Sequence, residues 1–298
     1  LQERFPEVHI DTIPMADGGE GTVDAFLAAN SGERITCEVC GPYREPVEGF
    51  YGMLEDGTAV IEMAAAAGLP LVGQNRRADK TTTFGVGQLL LDALDHGAKK
   101  VIMGLGGSCT NEGGVGLAAA CGVKFYDATG AEFLPVGGTL SHISRIDVSG
   151  MNPRIRDVEI VTMCDIDNPL CGVTGASAIF GPQKGATPEQ VGMLDAGLAH
   201  LAAIMKRDLG ADVLDLPGGG AAGGMGAGMV AFIGSRLQMG TQTVLDTAHF
   251  DDLVQEADLV FSGEGCFDGQ SLHGKVVVGV ASRCKAVHTP LIAVAGVI

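Results

Sequence analysis

Four short stretches of this chain hold side chains and bare backbone of the kinds that handle phosphate groups: "PMADGGEGT" (14–22), "GLGGSCTNEGG" (104–114), "MCDIDNPL" (163–170) and "SGEGCFDGQS" (262–271). The second is mostly exposed-backbone chemistry. Its glycines allow close approach, its N–H groups and the start of a helix favour an anion, and the hydroxyls of Ser108 and Thr110 add donors beside Asn111. The loop is neither a dinucleotide fingerprint nor a Walker A motif, because the spacing and the Gly-Lys-Ser/Thr ending are absent. Phosphate or carboxylate binding is the chemical reading, with a tight structural turn as its rival.

The other three stretches are acidic. Asp17 and Glu20, Asp165 and Asp167, and Glu264 and Asp268 each follow an apolar run, the first and last pairs beside glycine. One such carboxylate would be an ordinary turn or cap residue. Several of them at the carboxyl ends of strands are what Mg²⁺ coordination and a base for phosphoryl transfer require. Positive charge is scarce near them. Lys184 in "FGPQKGAT" and Lys275 in "LHGKV" lie in glycine contexts from which an ammonium could reach a phosphate oxygen, or could simply be solvated.

The elements that must position these residues read as alternating β and α. Residues 9–14 suggest a strand and 20–29 a helix; 35–63 suggest short antiparallel strands turned at Asp56-Gly57. Helices are expected over 84–96, 115–121, 188–206 and 276–285, a glycine-broken helix over 225–237, and buried strands over 99–105, 158–164, 258–262 and 290–295. Such alternation indicates an α/β fold with a parallel sheet covered on both faces. "PGGGAAGGMGAGM" (217–229) has too many glycines for an isolated helix, at about 1 kcal/mol each against alanine. It is expected to be a flexible lid or a wall for a flat ligand.

Composition narrows the classes. The 298 residues are enough for one large or two medium domains with a real core. A formal net charge of −17 repels nucleic acid and anionic membranes, and no apolar run spans a bilayer, so neither is expected as a partner and a cytoplasmic location is. Eight scattered cysteines read as reduced thiols, although Cys37 and Cys40 have metal-like spacing. The chain starts without methionine and stops after a strand and glycine turn, so further sequence is expected on both sides.

In their order, "PMADGGEGT", "GLGGSCTNEGG", "CDIDNPLCG", "FGPQKGAT", "PGGGAAGGMG" and "SGEGCFDGQS" resemble the bacterial glycerate kinase family, from Pro14 to Lys275. The resemblance implies two α/β domains with the active site in the cleft between them. One would be flavodoxin-like, built from 1–36 and 241–298 and incomplete at both ends; the other would be a mixed α/β insertion, 37–240. It implies ATP and Mg²⁺ as cofactors, D-glycerate as substrate and 2-phosphoglycerate as product, with a homo-oligomer compatible. The family's usual Pro-Asp-Ser-Phe-Lys opening is absent, and Glu112 stands where members usually carry aspartate; its longer carboxylate is expected to reach a metal through water.

On that reading ATP phosphates rest on Gly104, Gly106, Gly107, Ser108, Thr110 and Asn111. Asp165, Glu264 and Asp268 hold Mg²⁺, and Asp17 accepts the hydroxyl proton, with Asp268 as the other candidate base. Lys184 offsets the substrate carboxylate or the moving phosphoryl group. The rival functions are a kinase of another small hydroxy acid on the same scaffold, separable by a substrate panel, and a non-catalytic nucleotide- or anion-binding protein, favoured if the acids lie far from the glycine loops.

Overall fold

The structure is a computed structural model that describes residues 3–266 and 276–297. After an irregular opening come α1 (Thr22–Ala29), β1 (Gly32–Cys40), β2 (Pro46–Leu54) and β3 (Thr58–Glu62). The Asp56-Gly57 turn between β2 and β3 forms as expected. Gly57 is left-handed (φ 88°), and Asp56 Oδ1 accepts the Thr58 N–H at 2.8 Å. Then follow α2 (Ala64–Ala67), α3 (Leu69–Val72), α4 (Phe84–Asp95), β4 (Lys100–Gly104) and α5 (Val115–Ala120). A small antiparallel sheet of β5 (Lys124–Tyr126), β6 (Glu132–Phe133) and β7 (Arg145–Asp147) precedes β8 (Glu159–Met163), α6 (Ala176–Phe180) and α7 (Pro188–Leu209). The chain continues through α8 (Ala221–Gly228), β9 (Arg236–Gln238), α9 (Gly240–Thr247), α10 (Phe250–Glu256), β10 (Val260–Cys266), α11 (Val276–Val287) and β11 (Leu291–Val297).

Six strands form the main sheet in the order β1-β2-β3-β4-β8-β9. The first two pairings are antiparallel and the remaining three parallel. Period-2 alternation divides the central strands between two cores. Ala59, Ile61, Val101 and Met103 face the large cluster with α4, α5 and α7, whereas Val60 and Ile102 face Val23 and Phe26 of α1 and Val244 of α9. A third cluster joins α9, α10 and α11 through Leu245, Phe250, Val254, Val280 and Cys284, beside the parallel pair β10-β11. The long α7 is set by a capping box in which Thr187 and Gln190 exchange hydrogen bonds, and it ends at left-handed Gly210.

Two expectations change. Residues 9–14 form no strand: they are partly exposed and pair with no strand among the described residues. The helix expected to reach 237 stops at left-handed Gly234 (φ 73°), and Arg236–Gln238 turns into β9 to pair with β8. β1 keeps one register with β2 from Gly32 to Cys40, and residue 36, where the two-domain division was expected to begin, lies within it.

Candidate active site

The loop before α1 is shaped by its first acid. Asp17 Oδ1 accepts the Gly19 N–H at 3.0 Å, and the left-handed Gly18 (φ 85°) turns its carbonyl to accept the Gly106 N–H at 2.8 Å. Two glycine bunches more than eighty residues apart therefore lie backbone on backbone. A Cβ at Gly104 would stand 2.4 Å from the Gly18 carbonyl oxygen, and one at Gly106 2.4 Å from Gly19 Cα. Behind them Glu62, buried at the end of β3, accepts the Val23 N–H at 2.7 Å and so anchors the start of α1. Burial raises its pKa, against the pull of that hydrogen bond.

The acids of the other strands meet the same loop. Asp165, just past β8, accepts the Gly240 N–H at 2.7 Å through Oδ1 and fixes the start of α9. Burial raises its pKa, and the charge of Asp17 raises it further, so the two carboxylates sense each other. With Glu20, Thr22 and Thr241, and with Glu264 of β10, they line one cleft of 520 Å³. Met15, Met239 and Val276 supply apolar wall, and no Lys, Arg or His is among the described lining. A cleft of oxygen donors lacking local positive charge attracts hard cations and admits anions only with them.

The glycine loop at 104–114 makes a second group, beside the cleft but outside its lining. Ser108 is 6% exposed and Thr110 and Asn111 are fully buried, so the donors read as open are turned inward. The Asn111 amide donates to Ser177 Oγ at 3.0 Å. Lys184, 2% exposed, donates from Nζ to Ser108 Oγ and to the Thr110 carbonyl, both at 2.7 Å. Burial lowers its pKa to about 8, and no carboxylate pairs with it among the described residues. Lys184 is therefore a clamp under the loop and not a solvated cation. Of the loop only Gly106 and Gly107 retain appreciable exposure.

Glu112 does not reach toward a metal. It is fully buried, accepting the Thr83 hydroxyl and the Gly116 N–H, each at 2.7 Å, at the start of α5. The glycines of 217–229 form neither lid nor ligand wall but interior backbone contacts. Gly223 accepts the Gly113 N–H at 3.0 Å, and a Cβ on it would stand 2.1 Å from the Thr110 carbonyl oxygen. Asp268 and Lys275 lie outside the described residues. Among the described residues no three His, Cys, Asp or Glu side chains gather closely enough to hold a metal ion, and Cys37 and Cys40 are free thiols. Burial pushes the Cys37 thiol up to about 11, far from a metal-ready thiolate.

The sequence alone did not single out Glu62, Thr22 or Thr241, whereas Glu20 was already among its acids. Glu62 carried a visible signal, a lone acid closing the buried run "TAVIE".

The pattern of the glycerate kinase family matches residues 1–298. The chain belongs to the glycerate kinase family. It is 49% identical over 294 residues to a glycerate kinase of Bacillus cereus, covering 98% of this chain and 77% of that one. It is 47% identical over 298 residues to the glycerate 2-kinase of Escherichia coli, covering 99% and 78%. A crystal structure of a Salmonella typhimurium LT2 protein assigned as glycerate kinase 2 superposes with a TM-score of 0.93 at 46% identity, covering 99% of this chain and 80% of that one. Membership of the glycerate kinase family makes the chain a phosphotransferase and supports its α/β fold class. No helix among the described residues is long and apolar enough to cross a membrane.

Proposed function

We propose that this member of the glycerate kinase family transfers the γ-phosphoryl group of ATP to the C2 hydroxyl of D-glycerate, giving 2-phosphoglycerate. The observation that carries the reading is the cleft in which Asp17, Asp165 and Glu264 come together from three separate chain segments. The name of the Escherichia coli relative supports the position of transfer.

Both substrates are anions, and the cleft is acidic. Mg²⁺ fits this donor set, since it binds through one or two carboxylates and completes its shell with water and nucleotide phosphates. Asp165 and Glu264 would hold it, with Asp268 as a further ligand, and when bound it would neutralise charge on the β- and γ-phosphates. The mutual repulsion of Asp17 and Asp165 is relieved by such a cation.

Asp17 is the base in this reading. Its Oδ1 is occupied by the Gly19 N–H, which orients the carboxylate and leaves the other oxygen to accept the glycerate hydroxyl proton. The exposed Gly106-Gly107 backbone is the part of the 104–111 loop that can meet ATP phosphate, while Lys184 holds Ser108 and Thr110 from below and lends the loop positive potential. The two-domain division remains part of this proposal, with the cleft flanked by the main sheet and the β10-β11 unit.

The test is an ATP-coupled assay over a panel of small hydroxy acids, with the product examined by proton-coupled ³¹P NMR. A phosphate on C2 of glycerate couples to a single proton and one on C3 to a pair, so a doublet supports the reading. A triplet refutes the position of transfer, and faster turnover of another hydroxy acid refutes the substrate.

A further inference from the structure

The main sheet ends at β1, and no strand among the described residues pairs with its outer side. The direction of its backbone groups follows from the bonds at its two ends. Glu55 donates to the Ser31 carbonyl at 3.0 Å and Gly41 to the Glu45 carbonyl at 2.6 Å, so odd-numbered residues of β1 face β2. Even-numbered residues face outward. Cys40 confirms this at one end, its N–H being taken by Gln88 Oε1 at 2.7 Å. Arg34, Thr36 and Glu38 thus present an outward row of donors and acceptors, and all three are exposed.

This edge lacks several of the usual protections. It contains no proline and no lysine, and its nine residues run in unbroken register without a bulge. It is also complementary to itself. If a second β1 lies antiparallel with a two-fold axis at Thr36, Thr36 meets Thr36 of the copy, and Arg34 meets Glu38 on both sides of the axis. Only even residues then face even residues, which is the condition for exchanging backbone hydrogen bonds. Directly opposed residues also share a face of the sheet, so the Arg34 guanidinium, which within one chain pairs with Asp24 and stacks on the Phe50 ring, would have Glu38 of the copy as a further partner. Within one chain Glu38 is instead opposed by Glu48, a like-charge pair that a neighbouring Arg34 would relieve.

We propose that β1 is a dimerisation edge, pairing with β1 of a second copy of this chain about Thr36 so that two six-stranded sheets become continuous. The inference is independent of the phosphotransfer reading, since none of these residues lines the cleft.

Sedimentation equilibrium of the wild-type protein at micromolar concentrations is expected to show a dimer. Thr36→Pro removes a single outward N–H, which an edge strand tolerates, and is expected to give a folded monomer. Glu38→Arg sets Arg34 against arginine and is expected to raise the dimer Kd at least tenfold, and Arg34→Glu/Glu38→Arg to recover most of that loss. Thr36→Cys stands on the axis at a Cα separation of about 5.5 Å, within disulfide range, and is expected to cross-link on oxidation where wild type does not. A monomeric wild type overturns the proposal. So does a dimer insensitive to Glu38→Arg with no Thr36→Cys cross-link, which would place the interface elsewhere.

Discussion

Glu112 gives the sharpest quantitative test, because its environment can be stated atom by atom. The carboxylate is fully buried, with Oε1 accepting from Thr83 Oγ and Oε2 from the Gly116 N–H. Desolvation outweighs those hydrogen bonds and raises the pKa from 4.5 to about 7. Between these values the native state holds a proton that the unfolded chain releases. The associated stability is present in full below pH 4.5 and is lost as pH rises through about 7. At 1.36 kcal/mol per unit, the shift corresponds to on the order of 3 kcal/mol. Glu112→Gln stays neutral at every pH and can still accept from Gly116 while its amide donates to Thr83. Urea unfolding followed by circular dichroism, at intervals from pH 4.5 to about 8, should show the variant gaining on wild type by on the order of 3 kcal/mol across that range. Parallel stability profiles for the two proteins would refute the buried titration.

Other outcomes follow from the same geometry. Asp17→Asn keeps the acceptor for the Gly19 N–H and should leave Tm unchanged while kcat falls about 10²-fold or more; a small change in kcat with a lowered Tm would make Asp17 a turn residue. Gly106→Ala must displace the Gly18-Gly19 backbone and should cost about 1–3 kcal/mol, more than Gly107→Ala, whose Cβ meets nothing nearer than 3.3 Å and whose cost is left-handed strain of about 1 kcal/mol; the reverse order would disprove the packing of the two loops. Lys184→Met forfeits the bonds to Ser108 and Thr110 and should destabilise by about 1–3 kcal/mol with faster hydrogen exchange over 106–111, whereas unchanged exchange would refute the clamp.

The α/β alternation was legible because period and run length are local properties. The buried run at 100–104, the stripe of α4 and the Asp56-Gly57 turn are each contained within a dozen residues. Asp165, just past β8, and Glu264, inside β10, were legible for the same reason, since each is tied to a recognisable strand. Tertiary contact decided the rest. Residues 9–14 have strand composition but pair with no strand among the described residues, and 236–238 become a strand because β8 offers its edge. Nothing local announces that the hydroxyls beside a glycine loop face a lysine some seventy-five residues onward, so Ser108 and Thr110 read as open donors.

Glycine itself was the ambiguous signal, since a bare backbone admits a ligand and another backbone equally well. Here most of the bunched glycines admit each other: Gly104 and Gly106 face Gly18 and Gly19, and Gly113 faces Gly228. The consequence is mechanical continuity. Gly223 rests against the Thr110 carbonyl, that carbonyl is held by Lys184, Lys184 also holds Ser108, and Gly107 beside it lies against the Glu20 carboxylate, which lines the cleft. Side chains would introduce gaps and rotamers at each step, whereas backbone contacts at these distances leave almost no slack. An acidic cleft assembled from three distant segments needs that rigidity, because Asp17 and Asp165 repel each other and only the packed loops behind them keep both carboxylates turned into the same space.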